Sequence, residues 1–359
     1  MTVIDVIKVL APSSLAFIVG ILLTPLLTDF LYKNEMWKKK GGKKQIDGSA
    51  TPVFDSLHKE KEVGTPKMGG LVIWVSAFLS GTVVWIIAKL APTDQFLKLD
   101  FVSRSQTWLP FAALVIGGLT GLIDDFMEVK GSGDHVAGGL SLRKRLSIVA
   151  LIGLLSGAWF YFKLSVTSVA IPFAGQLHLG FLFIPVFAIV MIAIYSGGVI
   201  DGIDGLAGGV FASIFAAYSI VAFFQHQVDL SAFCATVVGG LLAFLWFNIP
   251  PARFYMSETG SMALTVSLTV VAFMTDTLGD GHGLSVLPII AFPLVITTLS
   301  NILQNTSKKF RRGKKIFHIA PVHHHFEAVG WPAYKVTMRY WIISVVAAGI
   351  GIILALIRV

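Results

Sequence analysis

Five carboxylates lie in short polar stretches of an otherwise apolar sequence. Asp124 and Asp125 are adjacent in "GLIDDFMEVKG", Asp201 and Asp204 lie among glycines in "YSGGVIDGIDGLAGG", and Glu258 lies in "ARFYMSETGS". Two adjacent aspartates repel each other unless a cation or a proton intervenes. Since oxygen-only ligands favour Mg²⁺ over zinc, these residues predict a site for a divalent metal, here Mg²⁺, or for phosphate.

Each of these residues also has a structural explanation. A single aspartate at a helix end often caps the helix or lies in a solvated loop. The glycines of "DGIDGLAGG" have a functional interpretation as well, because they permit tight turns before a helix N-terminus that could bind an anion. Gly208 and Gly209 are equally well explained by close packing of transmembrane helices. The number of carboxylates, five in three stretches, favours the functional interpretation.

Three consecutive histidines, His323, His324 and His325, form the second unusual feature, in "PVHHHFE". Three neighbouring residues cannot easily ligate one zinc ion, and no HExxH motif or cysteine pair accompanies them. Beside the acidic stretches they could donate hydrogen bonds to phosphate or act in acid–base catalysis. A purely scaffolding role is the alternative.

The elements that must position these residues are membrane-spanning helices. Only 13% of the 359 residues are charged and 55% are hydrophobic, whereas about one quarter of a soluble domain is charged. A helix that crosses a bilayer needs about 20 mostly apolar residues. The sequence therefore predicts an all-α polytopic membrane protein with about ten transmembrane helices, at 9–31, 68–90, 105–126, 146–163, 177–196, 205–225, 230–250, 259–275, 283–305 and 340–358.

The basic residues predict how this single domain, residues 1–359, is oriented. If the spans alternate, 22 of the 28 lysines and arginines lie in the odd-numbered loops. Because basic loops stay in the cytoplasm, we expect both termini outside. A short β-hairpin is expected on the outer face, between spans four and five, in residues 165–180. The cytoplasmic catalytic loops would then be 32–67, 128–145, 197–204, 248–260 and 306–339.

All the polar stretches described above fall in or beside odd-numbered loops. Carboxylates at a membrane edge are costly, so they tend to face a polar cavity or one another. A secondary transporter is a second class of protein with intramembrane carboxylates, but it should hold them near the middle of the bilayer. The positions at the ends of the predicted spans favour an enzyme with a cytoplasmic active site.

Five motifs, in the same order along almost the whole chain, resemble those of the polyprenyl-phosphate N-acetylhexosamine-1-phosphate transferases. They are "GTPKMGG", the adjacent aspartates at the end of span three, "DGIDGLAGG", "NIPPARFYMSETGS" and "APVHHHFE". The last motif resembles that of the branch that transfers phospho-N-acetylmuramoyl-pentapeptide. The alternative within the family is a transferase that uses UDP-N-acetylglucosamine.

The resemblance implies an Mg²⁺-dependent reaction of peptidoglycan biosynthesis at the bacterial plasma membrane. Undecaprenyl phosphate would attack the β-phosphate of UDP-N-acetylmuramoyl-pentapeptide, giving lipid I and UMP. No nucleic acid is expected as a partner, because the basic residues mark the cytoplasmic face. A homodimer is left open.

The resemblance also assigns roles to individual positions. Asp124 would orient or deprotonate the lipid phosphate, and Tyr255 would stack on uracil. The residues expected to be catalytic are Asp124, Asp125 and His324; those expected to bind substrate are Asp201, Asp204, Asn248, Tyr255, Ser261, Gln304, His323 and His325; and those expected to bind the metal are Glu258 and Asp201.

Four positions depart from the family pattern. Glu258 stands where the metal-binding residue is usually aspartate, and Gly198 stands where an asparagine is common. Lys67 replaces a threonine of the "TPTMGG" element, and Glu128 stands where a lysine often follows the aspartate pair. These departures predict an altered metal geometry and a missing polar contact to the nucleoside.

Overall fold

The computed structural model describes residues 2–39, 63–103, 106–131, 139–172 and 174–357. Parts of the predicted cytoplasmic loops 32–67 and 128–145 lie outside the described residues. The α-helices are α1 Val3–Lys33, α2 Leu71–Leu90, α3 Asp94–Leu99, α4 Trp108–Val129, α5 Leu142–Lys163, α6 Phe183–Ser196, α7 Leu206–Phe224, α8 Val228–Asn248, α9 Ser257–Met274, α10 Leu287–Ile290, α11 Phe292–Phe310, α12 Val322–Ala328 and α13 Ala333–Leu356.

Within these described ranges, nine helices are long and apolar enough to cross a bilayer. They are α1, α2, α4, α5, α6 with its flanking 3₁₀ turns, α7, α8, α9 and α13. The prediction of a mostly helical polytopic membrane protein is confirmed, with one qualifying helix fewer than the ten stretches predicted. The sides on which the two termini lie stay a prediction.

The predicted ninth span, 283–305, is interrupted. Residues 287–290 form the short helix α10, Ala291 leaves helical geometry, and α11 begins at Phe292 with Pro293 in its first turn. Proline lacks an N–H and its ring crowds the preceding turn, so a helix begins there more readily than it continues. The last turn of α11 carries the charged residues Lys308 and Lys309. The helix therefore continues past the end of the apolar stretch.

Helix α9 forms the centre of the bundle and is almost wholly buried. It packs most extensively against α4, where glycine allows the two backbones to meet. A Cβ atom added to Gly121 would lie 2.1 Å from the carbonyl oxygen of Glu258, far inside van der Waals contact. Close backbone approach at small residues is the usual way in which membrane helices pack. This packing brings the end of α4 against the start of α9.

Strands β1 Ser168–Ile171 and β2 Gly175–His178 pair antiparallel, with Val169 opposite Leu177. Asp276, just after α9, accepts hydrogen bonds from the backbone N–H of Ala170 at 2.7 Å and of Leu284 at 3.0 Å. Burial raises the pKa of Asp276, although these hydrogen bonds oppose the rise. Two strands therefore lie where the sequence predicts a hairpin, and their position on the outer face stays a prediction.

Candidate active site

Charged side chains from four parts of the chain meet at one end of the bundle. Asp124 and Asp125 lie near the end of α4, Glu258 lies in the first turn of α9, Arg145 lies in the first turn of α5, and Lys67 precedes α2. The opposite charges on these elements are within ion-pair distance of one another. The structure thus brings Asp124, Asp125 and Glu258 close together, while their catalytic and metal-binding roles stay predictions.

Asp125 is completely buried and has hydrogen-bond donors on both carboxylate oxygens. Its Oδ2 accepts the backbone N–H of Thr259 at 2.8 Å and the Thr259 hydroxyl at 2.6 Å. The Lys67 ammonium lies 3.4 Å from Oδ1. Because the first N–H groups of a helix have no partner within that helix, Asp125 supplies an acceptor that α9 needs.

Asp201 supplies a second acceptor to the start of α9. It follows a 3₁₀ turn of residues Gly197–Ile200, and its Oδ2 accepts the backbone N–H of Ser257 at 2.8 Å. The neighbouring Asp204 accepts the backbone N–H of Ala252 at 3.2 Å. These contacts fix the predicted loop 197–204 beside the segment that leads into α9.

Asp124 has a different set of neighbours and is only 2% exposed. The backbone N–H of Leu140 donates to its Oδ1 at 2.5 Å, and Nη1 of Arg145 lies 3.5 Å from its Oδ2. Asp124 is therefore held by the start of α5, whereas Asp125 is held by the start of α9. Adjacent aspartates are thus directed to different helices.

Glu258 reaches the same arginine from the opposite side. Nη1 of Arg145 forms an ion pair with Oε1 of Glu258. The hydroxyls of Tyr195 and Ser261 donate to Oε2 at 3.3 and 3.4 Å. Arg145 therefore bridges Glu258 and Asp124, and the glutamate at this position is oriented by three side chains. Ser261 also lies beside Gly198. A Cβ atom added to Gly198 would be 3.4 Å from the Cβ atom of Ser261.

The two departures at positions 67 and 128 contact each other. The Lys67 ammonium forms an ion pair with Oε2 of Glu128, and Lys38 lies 3.1 Å from Oε1 of the same carboxylate. Burial would lower the pKa of Lys67, but the charges of Asp125 and Glu128 outweigh it and raise this pKa above its usual range. Lys67 therefore stays charged, and it joins Glu128 to Asp125.

Asn248 and Gln304 both use their amide groups on backbone atoms. Asn248 accepts the N–H of Gly205 at 3.0 Å and donates to the carbonyl of Phe254 at 2.8 Å. Gln304 donates to the carbonyl of Phe317 at 2.9 Å and accepts the N–H groups of Ile316 and Phe317. In the structure these two predicted substrate-binding residues hold loop backbone, Asn248 between residues 205 and 254 and Gln304 at residues 316–317.

Tyr255 joins the loop before α9 to the "GTPKMGG" motif. Its backbone N–H donates to the carbonyl of Pro66 at 2.8 Å, and its carbonyl accepts the N–H of Gly69 at 2.9 Å. Two of the sequence motifs are therefore paired through their backbones.

The three histidines have different surroundings in the short helix α12. His323 and His324 are buried, whereas His325 is partly exposed. His325 stacks on His318, whose backbone N–H donates to its Nδ1 at 3.3 Å; burial and then the charge of His318 lower the pKa of His325. His324 Nδ1 lies 2.7 Å from Oε2 of Glu327. The run of identical residues therefore has no single role.

Four contact residues were missed by the motif analysis: Arg145, Tyr195, Thr259 and Glu327. A signal existed for Glu327, since residues three apart on a helix are neighbours and it lies three positions after His324. Thr259 directly follows Glu258, yet nothing in its type indicated a partner on α4. No local pattern distinguished Arg145 or Tyr195 from other polar residues at helix ends.

Known proteins are similar to this chain over most of its length. The family described as Glycosyl transferase family 4 matches residues 107–276. The phospho-N-acetylmuramoyl-pentapeptide-transferase of Listeria monocytogenes is 32% identical over 345 residues, which cover 94% of this chain and 95% of the relative. That of Listeria innocua is 34% identical over 352 residues, covering 96% and 95%.

A relative from another bacterial genus matches similarly well. The phospho-N-acetylmuramoyl-pentapeptide-transferase of Chloroflexus aurantiacus is 33% identical over 309 residues, covering 82% of this chain and 78% of the relative. The resemblance predicted from the five motifs is confirmed by these matches. The chain belongs to the phospho-N-acetylmuramoyl-pentapeptide-transferase family.

Proposed function

We propose that this chain transfers phospho-N-acetylmuramoyl-pentapeptide from its UDP-linked form to undecaprenyl phosphate. The products are lipid I and UMP, and the reaction belongs to peptidoglycan biosynthesis. The observation that supports this best is the cluster of Asp124, Asp125 and Glu258 with Lys67 and Arg145, at the positions of the family's motifs. The membrane-spanning helices around it suit a lipid substrate.

The proposed reaction exchanges one phosphorus–oxygen bond for another. An oxygen of undecaprenyl phosphate attacks the β-phosphorus of the nucleotide sugar, and the bond from that phosphorus to the bridging oxygen breaks. UMP leaves with the electron pair. Such a transfer needs mainly positioning and stabilisation of negative charge. Asp124 is proposed to orient or deprotonate the attacking phosphate, while Arg145 and Lys67 limit the negative potential around the carboxylates.

The donor set fits the chemistry of Mg²⁺, which is proposed as the cofactor. Mg²⁺ takes one or two carboxylates and completes its coordination with water and substrate phosphates. Among the described residues, no group of three or more His, Cys, Asp or Glu side chains could hold a metal by itself. Glu258 and Asp201 are the residues proposed to hold it. When bound, Mg²⁺ would offset charge on the diphosphate.

The proposed location is the bacterial plasma membrane, with the cluster on the cytoplasmic face. The positive charge of the odd-numbered loops supports this orientation. The carboxylates lie at the ends of α4 and α9, whereas a transporter would be expected to hold them near the middle of the bilayer. The contacts therefore favour the transferase over a transporter.

The test is a transfer assay on the purified full-length chain. Undecaprenyl phosphate is mixed with either UDP-N-acetylmuramoyl-pentapeptide or UDP-N-acetylglucosamine, and UMP release is measured. We expect release with the muramoyl substrate and loss of release in Asp124→Asn. Asp94→Asn, at an exposed aspartate of α3, is the matched control and should retain activity. Release with UDP-N-acetylglucosamine alone would show that the muramoyl substrate is wrong.

A further inference from the structure

His324 and Glu327 form a buried pair on helix α12. Nδ1 of His324 lies 2.7 Å from Oε2 of Glu327, and the side chains are only 3% and 8% exposed. A carboxylate at this distance accepts the hydrogen of an imidazole N–H. It therefore favours the tautomer in which Nδ1 carries the hydrogen.

The other ring nitrogen of His324 faces the loop between Asp201 and Asp204. A Cβ atom added to Gly202 would lie 2.7 Å from Nε2 of His324 and 2.7 Å from Nε2 of His323. Glycine therefore allows the loop backbone to approach both rings. The Nε2 edge of His324 thus lies against the loop whose Asp201 also caps the start of α9.

The pair has the geometry of an oriented imidazole. A hydrogen-bond partner on one ring nitrogen fixes both the orientation of the ring and the tautomer it adopts. A carboxylate partner also stabilises the imidazolium when the second nitrogen takes up a proton. Glu327 contacts only Nδ1 of His324, yet through the ring it influences both the direction in which Nε2 points and how readily Nε2 takes up a proton.

We propose that Glu327 is a positioning residue that fixes the Nδ1–H tautomer of His324 and presents Nε2 to the phosphates of the substrate beside the loop 201–204. This inference rests on the proposed transferase function and identifies which of the three histidines acts. His325 does not fit this role because its Nδ1 accepts the backbone N–H of His318, so that nitrogen cannot carry the hydrogen. His323 shares the Gly202 contact, whereas the ring nitrogen that lies beside Glu327 is Nδ1 of His324.

The tautomer is tested on the full-length wild-type protein by nitrogen NMR after selective ¹⁵N-histidine labelling, with His324→Gln used to assign the signal. We expect the signals of a protonated Nδ1 and an unprotonated Nε2, and loss of this single tautomer in Glu327→Gln. A wild-type His324 with its hydrogen on Nε2 would overturn the proposal. This measurement does not require turnover, so it is independent of whether the proposed reaction is correct.

Transfer kinetics provide the second measurement. Glu327→Gln should lower kcat by about 10- to 100-fold, the size of effect found when the carboxylate partner of a metal-bound histidine is removed, with a much smaller change in KM. Glu327→Asp should recover part of kcat because it restores a carboxylate. Glu35→Gln, at an exposed glutamate paired with Lys39, is the control and should match wild type.

The kinetic outcomes separate the positioning role from the proposed function. A soluble, folded Glu327→Gln protein with the wild-type kcat would refute the role of Glu327. Equal losses in Glu327→Gln and Glu327→Asp, with the wild-type tautomer kept in both, would also refute it. Failure of the wild-type chain to release UMP would refute the transferase function instead, whatever tautomer His324 adopts.

Discussion

Thr259 donates both its backbone N–H and its hydroxyl to one carboxylate oxygen of Asp125, at 2.8 and 2.6 Å. The contact joins the end of α4 to the first turn of α9, through two residues that are 134 positions apart in sequence. This contact fixes the position of Asp125. The neighbouring Asp124 is held instead by Leu140 and Arg145. The two aspartates of one motif therefore connect different helices to the site.

Replacing Thr259 with valine removes the hydroxyl donor to Asp125 but keeps the backbone N–H. We expect the free energy of unfolding to fall by about 1–3 kcal/mol, because a buried carboxylate loses a hydrogen bond. Transfer activity should fall as well, since Asp125 Oδ2 keeps only the backbone N–H of Thr259 as a donor from α9 and is held less firmly. Thermal unfolding in detergent measures the first effect and UMP release the second.

Thr265→Val is the matched control for this substitution. Thr265 is also fully buried in α9, but its hydroxyl donates within its own helix, to the carbonyl of Ser261 at 2.7 Å. Thr265→Val should lower the free energy of unfolding less than Thr259→Val does, and it should leave the position of Asp125 unchanged. Equal losses in the two variants would mean that the contact between Thr259 and Asp125 has no special effect.

The pair Lys67 and Glu128 should behave as one unit. Lys67→Glu and Glu128→Lys each place like charges together in a buried site, so each should lower thermal stability and activity strongly. The double variant restores opposite charges and should recover part of both quantities, giving a coupling energy in a double-mutant cycle. Losses that simply add would contradict a direct interaction.

The exposed pair Lys39 and Glu35 provides the control cycle. These side chains are 2.7 Å apart but are more than half exposed, and exposed ion pairs contribute only about 0–1 kcal/mol. We therefore expect little coupling there. The difference between the two cycles measures what burial adds to the pair at the site.

Glu258 is the residue on which the proposed Mg²⁺ site depends most. Glu258→Gln removes the negative charge and should abolish Mg²⁺-stimulated UMP release while the protein remains folded. Glu258→Asp keeps a carboxylate and should keep the Mg²⁺ requirement, at a higher Mg²⁺ concentration, because the shorter arm meets Arg145 and Tyr195 less well.

Binding of Mn²⁺, followed by electron paramagnetic resonance in the presence of the UDP-linked substrate, gives a measure of the metal that does not depend on turnover. It should weaken in Glu258→Gln and stay unchanged in Glu35→Gln. Unchanged Mn²⁺ binding in Glu258→Gln would remove Glu258 from the proposed metal site.

The predicted topology can be tested with single thiols. Cys234 is completely buried, so an added cysteine can be followed without interference from it. Arg311→Cys, in the basic segment after α11, should react with an impermeant reagent only after cells are opened. His178→Cys, at the exposed end of β2, should react in intact cells. The reverse pattern would invert the proposed orientation.

The sequence by itself determined the class of protein and its family. Apolar length decides whether a segment can cross a bilayer, and that length is a local property of the chain. The motifs are equally local, so "DGIDGLAGG" and "APVHHHFE" could be recognised without a structure. The unusual residues at 67, 128 and 258 were visible in the same way.

The tertiary structure decided which of these residues contact one another. That Lys67 meets Glu128, and that Arg145 lies between Asp124 and Glu258, follows from how α2, α4, α5 and α9 pack. The interruption near Pro293 likewise divided a stretch that apolar composition had predicted as one span. The composition of a segment indicates only how favourably that segment enters the membrane. Contacts between residues distant in sequence are decided by close packing and by the need to give buried polar groups hydrogen-bond partners.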